Sequence, residues 1–198
     1  MARIRSTLII AGVALGASAL LPAVPASADS IARSAHALFR NDADNVGMDL
    51  DVVKDDDGRT TIDVEWQDSH CAPTDTAYVC DSVFRTAYGV PVSRFRFSLT
   101  GVTTVEADLA YREVRRHCTF TEETEDCTEV EAAGTTTVEV AWTATGEPTS
   151  SDWTDEQGVR HVEKRSEATV TGTGFGLSYG PDASFGVVSQ VRTRDLES

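Results

Sequence analysis

The chain has 198 residues, of which 32 are acidic and 17 basic, and its formal net charge at pH 7 is −15. Such a surface repels phosphate backbones and anionic membranes, so no nucleic-acid partner is expected. Lysine stands only at positions 54 and 164, and asparagine only at 41 and 45. This bias is typical of a GC-rich bacterial genome.

Residues 1–28 have the order of a cleavable secretory signal peptide. Arg3 and Arg5 precede an apolar run at 8–21, which is followed by the small-residue triplet at 26–28. The run is shorter than the roughly 20 residues that span a bilayer, so we predict cleavage after Ala28 and no stable membrane anchor. The end of the chain has no apolar tail. We therefore expect a secreted, extracellular product.

Residues 29–198 are predicted to form a single secreted all-β domain. Removing residues 1–28 takes away two arginines and no acid, which leaves 15 basic and 32 acidic residues and a formal charge of −17. A domain of this size buries about 70% of the surface that its unfolded chain exposes, so it can sustain a core of its own.

The four cysteines at 71, 80, 118 and 127 are predicted to form two local disulfides. An even number of cysteines in an exported chain indicates disulfide bonds. The spacing C-x8-C occurs twice and favours Cys71–Cys80 and Cys118–Cys127 over the other two pairings. Zinc sites usually place cysteines two to four positions apart, so no metal is assigned to them.

The first elements of the domain are ambiguous. Ile31, Ala35 and Leu38 have the spacing of a short helix, whereas Ala35, Ala37 and Phe39 alternate as in a strand. Residues 29–47 are therefore left as either helix or strand.

From Met48 onward, apolar residues recur at every second position, which is the period of a strand with one buried face. Asp57-Gly58 and Gly101 provide turns between these runs. About seven to nine strands are predicted, as an antiparallel β-sandwich or barrel with two short disulfide loops. Residues 143–157, which include Trp153, are predicted to be a polar loop. The apolar runs are Met48, Leu50 and Val52; Ile62, Val64 and Trp66; Phe95, Phe97 and Leu99; Val105, Ala107, Leu109 and Tyr111; Val138, Val140, Trp142 and Ala144; and Val162, Ala168, Val170, Phe185, Val187, Val188 and Val191.

Residues 176–180 match G-x-S-x-G, the nucleophile motif of serine hydrolases. That chemistry needs a strand, a strained turn carrying the serine and then a helix, with the acid and the histidine later in the chain. Pro181 follows the motif at once, and no histidine occurs after His161. Ser178 is therefore not assigned a catalytic role, and neither a catalytic residue nor a cofactor is predicted.

Two patterns suggest cation binding. Residues 42–47 begin like a calcium loop, but Val46 and Val53 occupy positions that need oxygen ligands, and residues 55–58 are more simply a turn. His70 and His117 each precede the first cysteine of a C-x8-C loop. If the two loops lie side by side, two imidazoles and a nearby carboxylate could form a three-ligand zinc or copper site, but the preferred interpretation is that both are solvated histidines at strand ends. No metal site is assigned.

Three classes of function remain. The first is a secreted, acidic, non-catalytic β-domain that binds an unknown protein or glycan, and it is preferred because no catalytic signature is present. The second is an inhibitor that presents the loop 71–80 to a secreted hydrolase. The third is an extracellular enzyme with a carboxylate-based site, for which Glu122, Glu123, Glu125 and Asp126 supply acids. Neither the ligand nor the oligomeric state follows from the sequence.

Overall fold

The computed structural model describes residues 30–41 and 45–195, which form eleven β-strands and one 3₁₀ turn. The predicted signal peptide and residues 42–44 of the candidate calcium loop lie outside the described residues. The elements are β1 (Ser30–Asn41), β2 (Val46–Lys54), β3 (Thr60–Pro73), β4 (Tyr78–Pro91), β5 (Arg94–Arg96), β6 (Val102–Phe120), β7 (Glu125–Ala144), β8 (Thr149–Thr154), β9 (Val159–Gly174), β10 (Leu177–Tyr179), the 3₁₀ turn (Pro181–Ala183) and β11 (Ser184–Asp195).

The strands form one antiparallel sheet that closes on itself. Eight strands pair in the order β1-β2-β3-β4-β6-β7-β9-β11, and β11 pairs back to β1. The ring is a barrel, so the barrel alternative predicted from the sequence is confirmed and the sandwich is not observed. The short strands β5, β8 and β10 add to the ring by pairing with β6 or β9.

Alternation of apolar and polar residues places one face of each strand inside the barrel. The predicted inward residues of β2, β3, β6 and β7 are buried except Tyr111 and Ala144, which are half-buried, and Trp66 and Trp142 are 5% and 0% exposed. Phe185 of β11 is 48% exposed, so its prediction as part of the core is wrong. Phe97 and Leu99 follow β5 and pack against this core from one end. The pattern of period two therefore identified most of the core correctly.

Two assignments are settled or corrected by the structure. Residues 30–41 form the strand β1, because Ala35, Ala37 and Phe39 fill the barrel interior. The polar loop predicted at 143–157 is wrong in part, since β7 continues to Ala144 and β8 occupies Thr149–Thr154. The side chains of β8 are exposed and do not alternate between apolar and polar, so the sequence did not indicate a strand. Its backbone nevertheless pairs with β9. Among the described residues, no helix is long and apolar enough to cross a membrane.

Trp142 is the largest side chain that is fully buried, and the neighbouring strands are shaped around it. Its indole N–H donates a 2.7 Å hydrogen bond to the carbonyl of His36. A Cβ on Gly186 would lie 2.8 Å from the Trp142 ring and 2.1 Å from Val170. Glycine is therefore required at 186 because the indole packs directly on the backbone of β11.

A partly buried cation, Arg85, lies at the end of the barrel from which β3 and β4 continue. The guanidinium of Arg85 lies 4.3 Å from the centre of the Trp66 ring and 5.7 Å from the rings of Tyr111 and Phe175. Its Nε donates a 2.7 Å hydrogen bond to Glu113, whose side chain is 6% exposed. The cation–π contacts and the ion pair compensate for removing Arg85 from water.

We expect Trp142→Ala to lower the free energy of unfolding by about 3–5 kcal/mol, because it leaves a large cavity and an unpaired carbonyl. Urea denaturation of the purified domain measures the change. Trp153→Ala is the matched control: this side chain is 43% exposed, and its loss should cost less than about 1 kcal/mol. Equal losses in both variants would contradict the assignment of the core.

Glu113 gives the domain a component of stability that depends on pH. Hydrogen bonds from Arg85, and then from Arg115, lower the pKa of Glu113 below its ordinary value of 4.5. Because the folded pKa is depressed, this stabilisation is fully present above pH 4.5 and is lost as the pH falls through the folded pKa.

At pH 7, Glu113→Gln should therefore destabilise the domain by about 1–3 kcal/mol, because it removes the counter-charge of Arg85, whose side chain is 19% exposed. The difference from the wild type should shrink when unfolding is measured at pH 3. Glu131→Gln removes an exposed partner of Arg112 and should change stability by less than about 1 kcal/mol at either pH. A pH-independent effect of Glu113→Gln would refute the ion-pair role.

Candidate functional site

The arm, as we call it, is a projecting sheet that forms where β3, β4, β6 and β7 continue past one end of the barrel. Trp66, Arg85 and Glu113 share one cross-strand row at the mouth of the barrel, and the row of Pro73 lies seven residues further along β3. At about 3.3 Å per residue, the arm extends roughly 23 Å. β7 is exposed throughout 125–133, which shows that this part of the sheet leaves the core.

The four cysteines stand in a single row across the arm. Cys71 pairs with Cys80, Cys80 with Cys118, and Cys118 with Cys127. The disulfides link Cys71 to Cys80 and Cys118 to Cys127, as the spacing predicted. Each bond joins the two strands of one hairpin, and β4–β6 pairing holds the two hairpins together. The arm is therefore cross-linked near its tip.

The cysteine face of the arm has an apolar end. Pro73, Tyr78 and Phe120 form the next row on that face beyond the disulfides, and Tyr78 is 47% exposed. On the barrel side of the disulfides, Phe84 lies on the same face beneath the guanidinium of Arg116, 6.0 Å from its ring centre. Phe120 is half-buried, and Glu125 of β7 completes the row. Accessible aromatic side chains beside polar strands are typical of a recognition surface.

This surface was not predicted from the sequence, although the spacing between its aromatic residues and the cysteines indicates it. Tyr78 lies two positions before Cys80, and Phe120 lies two positions after Cys118. In a strand, residues two apart share a face, so each aromatic must lie beside its cysteine. What the spacing did not show is that the two hairpins lie in register, which places both aromatics next to each other.

The acids of the alternative carboxylate-based site lie around this tip. Residues 121–124 form the β6–β7 turn, and its acids, Glu122 and Glu123, are exposed. Further down β7, Glu129 and Glu131 face arginines of β6 and form ion pairs with Arg116 and Arg112. The cluster is thus a solvated rim on one hairpin and does not face a second group of acids across a cleft.

The histidines share a row and a face, but each has its own carboxylate. His70 pairs with Asp81, and Asp81 pairs with His117, so the two histidine backbones are two strands, about 9.6 Å, apart. His117 Nδ1 lies 2.7 Å from Asp81, while His70 Nε2 lies 2.9 Å from Asp68. Among the described residues, the ligand atoms of His70 and His117 do not meet in one three-ligand cluster. The predicted convergence is therefore only partial.

A closer group of ligand atoms lies on the outer wall of the barrel. One nitrogen of His36 and carboxylate oxygens of Asp49 and Asp51 lie within 4.8 Å of one another. Asp63 and Glu65 stand opposite these acids on β3. Burial, and then the charges of Asp51 and Glu65, raise the pKa of Asp49 above its ordinary range, although His36 opposes the shift. The side chains of all three ligands are one-third to one-half exposed, as in a solvated acidic wall.

A cavity with a volume of about 890 Å³ lies across β5, β6, β7 and β9. Glu106 and Glu139 are directly paired on neighbouring strands there, and Arg94 Nη1 lies 2.7 Å from Glu106. A glycosidase needs two carboxylates that approach the substrate from opposite sides. These two glutamates stand on the same wall, and one is already paired with an arginine, so the cavity does not form that arrangement.

Ser178 also lines this cavity, but not in a nucleophile elbow. It lies in β10, which forms a hairpin with β9 and is followed by a single 3₁₀ turn and β11. His161 is near the opposite end of β9, twelve residues or about 40 Å of strand from the partner of Ser178. Its nitrogens contact Asp155 and Thr193. Ser178 therefore lies outside the strand–turn–helix arrangement that the motif requires, and it is far from His161.

Two polar segments singled out in the sequence are structural. Asp55 turns the chain between β2 and β3 by accepting the amide of Arg59, and Gly58 adopts a φ of +82° there, as the predicted turn requires. Trp153 lies in β8 and stacks on His161, with ring centres 5.2 Å apart. The indole is thus half covered by its own domain.

Comparison of the chain with known protein families, with curated proteins and with solved structures finds no match in any of the three.

We expect that replacing Cys71 and Cys80 together by serine lowers the free energy of unfolding by about 2–3 kcal/mol, because a short loop is no longer closed in the unfolded chain. The barrel should remain folded, since its core lies below the arm, and the near-ultraviolet circular dichroism of Trp142 should persist. Peptide mapping of the wild type provides the check on pairing: a Cys80–Cys118 linkage, which the row also brings close, would contradict the structure.

Proposed function

We propose that this chain is a secreted, non-catalytic recognition protein that binds an extracellular protein partner through the tip of the arm. The observation that carries the proposal is the row of Pro73, Tyr78 and Phe120 on a disulfide-linked sheet that projects from the barrel. Aromatic side chains supply a large apolar contact area at low conformational cost, and they are enriched where proteins bind one another.

The disulfides favour binding because they hold the arm in one conformation. A surface that is ordered before association loses less entropy when the partner binds. The surrounding acids, including Glu122, Glu123 and Asp126, favour a partner whose contact surface is basic, because complementary charge accelerates encounter and disfavours acidic proteins. A glycan ligand would make less use of this charge.

Secretion is part of the proposal. The N-terminal residues have the order that signal peptidases recognise, and two disulfides are compatible with an oxidising compartment. A recognition domain with cross-linked hairpins is suited to the extracellular space, where a reduced arm would lose part of its order.

A second candidate is inhibition of a secreted hydrolase by the hairpin 71–80. One observation favours it: the turn at its end is exposed and ordered by hydrogen bonds between Thr74 and Ala77. An inhibitor would reduce the activity of a secreted protease or glycosidase in a stoichiometric titration. Absence of inhibition across such a panel leaves the recognition role as the preferred function.

The experiment compares the mature wild type with Tyr78→Ala and Phe120→Ala as immobilised baits for extracellular proteins of the producing cells. We expect a partner retained by the wild type to bind each variant at least about tenfold more weakly, the loss typical of an aromatic interface anchor. Tyr88→Ala is the matched control, because Tyr88 is 61% exposed on the barrel and hydrogen-bonds Glu65 away from the tip.

Equal retention by the wild type and both tip variants would contradict recognition by this surface. Loss of binding in Tyr88→Ala alone would instead place the contact on the barrel wall.

A further inference from the structure

We propose that the outer edge of β7 in the arm binds an extended, basic segment of the partner as an additional β-strand. This inference rests on the proposed function in that it places recognition on the same arm, and it names the chemistry of the partner. The proposed strand-binding site is the edge of the sheet, whereas the aromatic row lies on the face of the sheet.

The cysteine face of the arm is too small to form a complete protein interface. Four strands at about 4.8 Å spacing and 23 Å of length present roughly 440 Å² on one side of the arm. A stable protein complex buries about 800 Å² on each partner. The cysteine face alone therefore provides about half of the usual contact, and an adjoining surface is needed.

The edge of β7 is a long row of backbone groups without a strand beside it. β7 pairs with β6 along its whole length, from Glu125 to Thr143, but with β9 only from Glu139 onward. Within residues 30–41 and 45–195, no other strand pairs with the edge at 125–138. The β9–β10 turn reaches it only at Thr136, whose hydroxyl accepts the amide of Phe175.

The disulfide reveals which backbone groups point outward. The Cα atoms of Cys118 and Cys127 are 4.2 Å apart, the short separation of a pair that exchanges no backbone hydrogen bonds. The N–H and C=O of Cys127 therefore point away from β6. The register from there is regular, so Glu129, Glu131, Ala133 and Thr135 also point outward.

The corresponding edge of β3 is different. Beyond Asp68, where pairing with β2 stops, the amide of Ser69 is bonded to Asn45, and the strand ends at Pro73, which has no N–H. Proline on a short edge strand is a common protection against further pairing. The β7 edge has neither proline nor a bulge, so the arm has one blocked edge and one open edge.

The side chains along the open edge select the occupant. Residues 125–138 contain four acids, Glu125, Asp126, Glu129 and Glu131, and no basic residue. A second copy of this acidic chain is disfavoured by charge, and like charges on paired strands are destabilising. Glu129 and Glu131 already form ion pairs with Arg116 and Arg112 of β6. The attraction for a strand that carries lysine or arginine therefore comes from Glu125 and Asp126, and its small or apolar residues lie beside Thr128 and Val130.

The test uses a synthetic peptide of about nine residues in which lysine and valine alternate, labelled for fluorescence anisotropy with the mature wild-type protein. We expect saturable binding that weakens with salt. A glutamate–valine peptide and a lysine–valine peptide with alternate amides methylated should bind at least about tenfold more weakly, because they lack the charge or the backbone donors.

Ala133→Pro removes one outward amide and leaves the β6–β7 ladder intact, whereas Ala133→Val keeps the amide and serves as the matched control. We expect Ala133→Pro to weaken peptide binding by about tenfold or more and Ala133→Val by less than about threefold. Hydrogen exchange gives an independent readout: the amides of residues 127, 129, 131 and 133 should exchange rapidly in the free protein and become protected by the peptide.

Peptide binding that is unchanged in Ala133→Pro, or that gives no protection at these amides, would overturn the edge site. A monomer–dimer equilibrium that Ala133→Pro abolishes would assign the edge to a second copy and also overturn the proposal. Neither result depends on the Tyr78 and Phe120 variants, whose binding to the partner tests the proposed function separately. Should those variants keep the partner while the peptide still protects the β7 edge, the proposed function fails and the edge site stands.

Discussion

The antiparallel pairing of the first strand with the last is the constraint on which the barrel depends. Ser30 pairs with Thr193 and Phe39 with Ser184, so this contact spans almost the whole domain in sequence. It supplies hydrogen-bond partners to two strands that would otherwise be edges, and it encloses Trp142 and the small residues packed around it. Closure by a contact of such long sequence separation also predicts slow folding relative to helical domains of equal size.

Closure explains why the arm is the exposed and chemically distinctive part of the molecule. Most strand positions in the ring have a neighbour on both sides, whereas β3 loses β2 beyond Asp68 and β7 pairs with β9 only from Glu139 onward. Arg85 and Glu113 lie at the row where the arm begins. Their partly buried ion pair ends the apolar core with charge, and aromatic rings pack around the guanidinium. At the tip, the disulfides hold the strands of each hairpin together, as the packed core holds the strands of the barrel.

Periodicity predicted the all-β class, most inward-facing residues and both disulfides, because these depend on local spacing. Ala35, Ala37 and Phe39 were already alternating, but a run this short fits a helix as well, and only the partner strands decide between them. β8 was missed because its small polar side chains carry no periodic signal. The tip was missed for a different reason: Tyr78 and Phe120 are brought together by the register between β4 and β6, which no single segment specifies.

The position of Ser30 and Asp195 has a consequence for how the molecule can be attached to something else. Arg33 pairs with Lys54 and Lys54 with Thr60, so these ends lie at the base of the barrel, opposite the arm. About 16 residues of strand, or roughly 50 Å, separate the level of Ser30 from Pro73. A carrier domain, a cell-wall tether or a sensor surface joined at either end would therefore leave the arm pointing outward and unobstructed. The barrel can thus hold the arm at a distance from whatever is attached to its base.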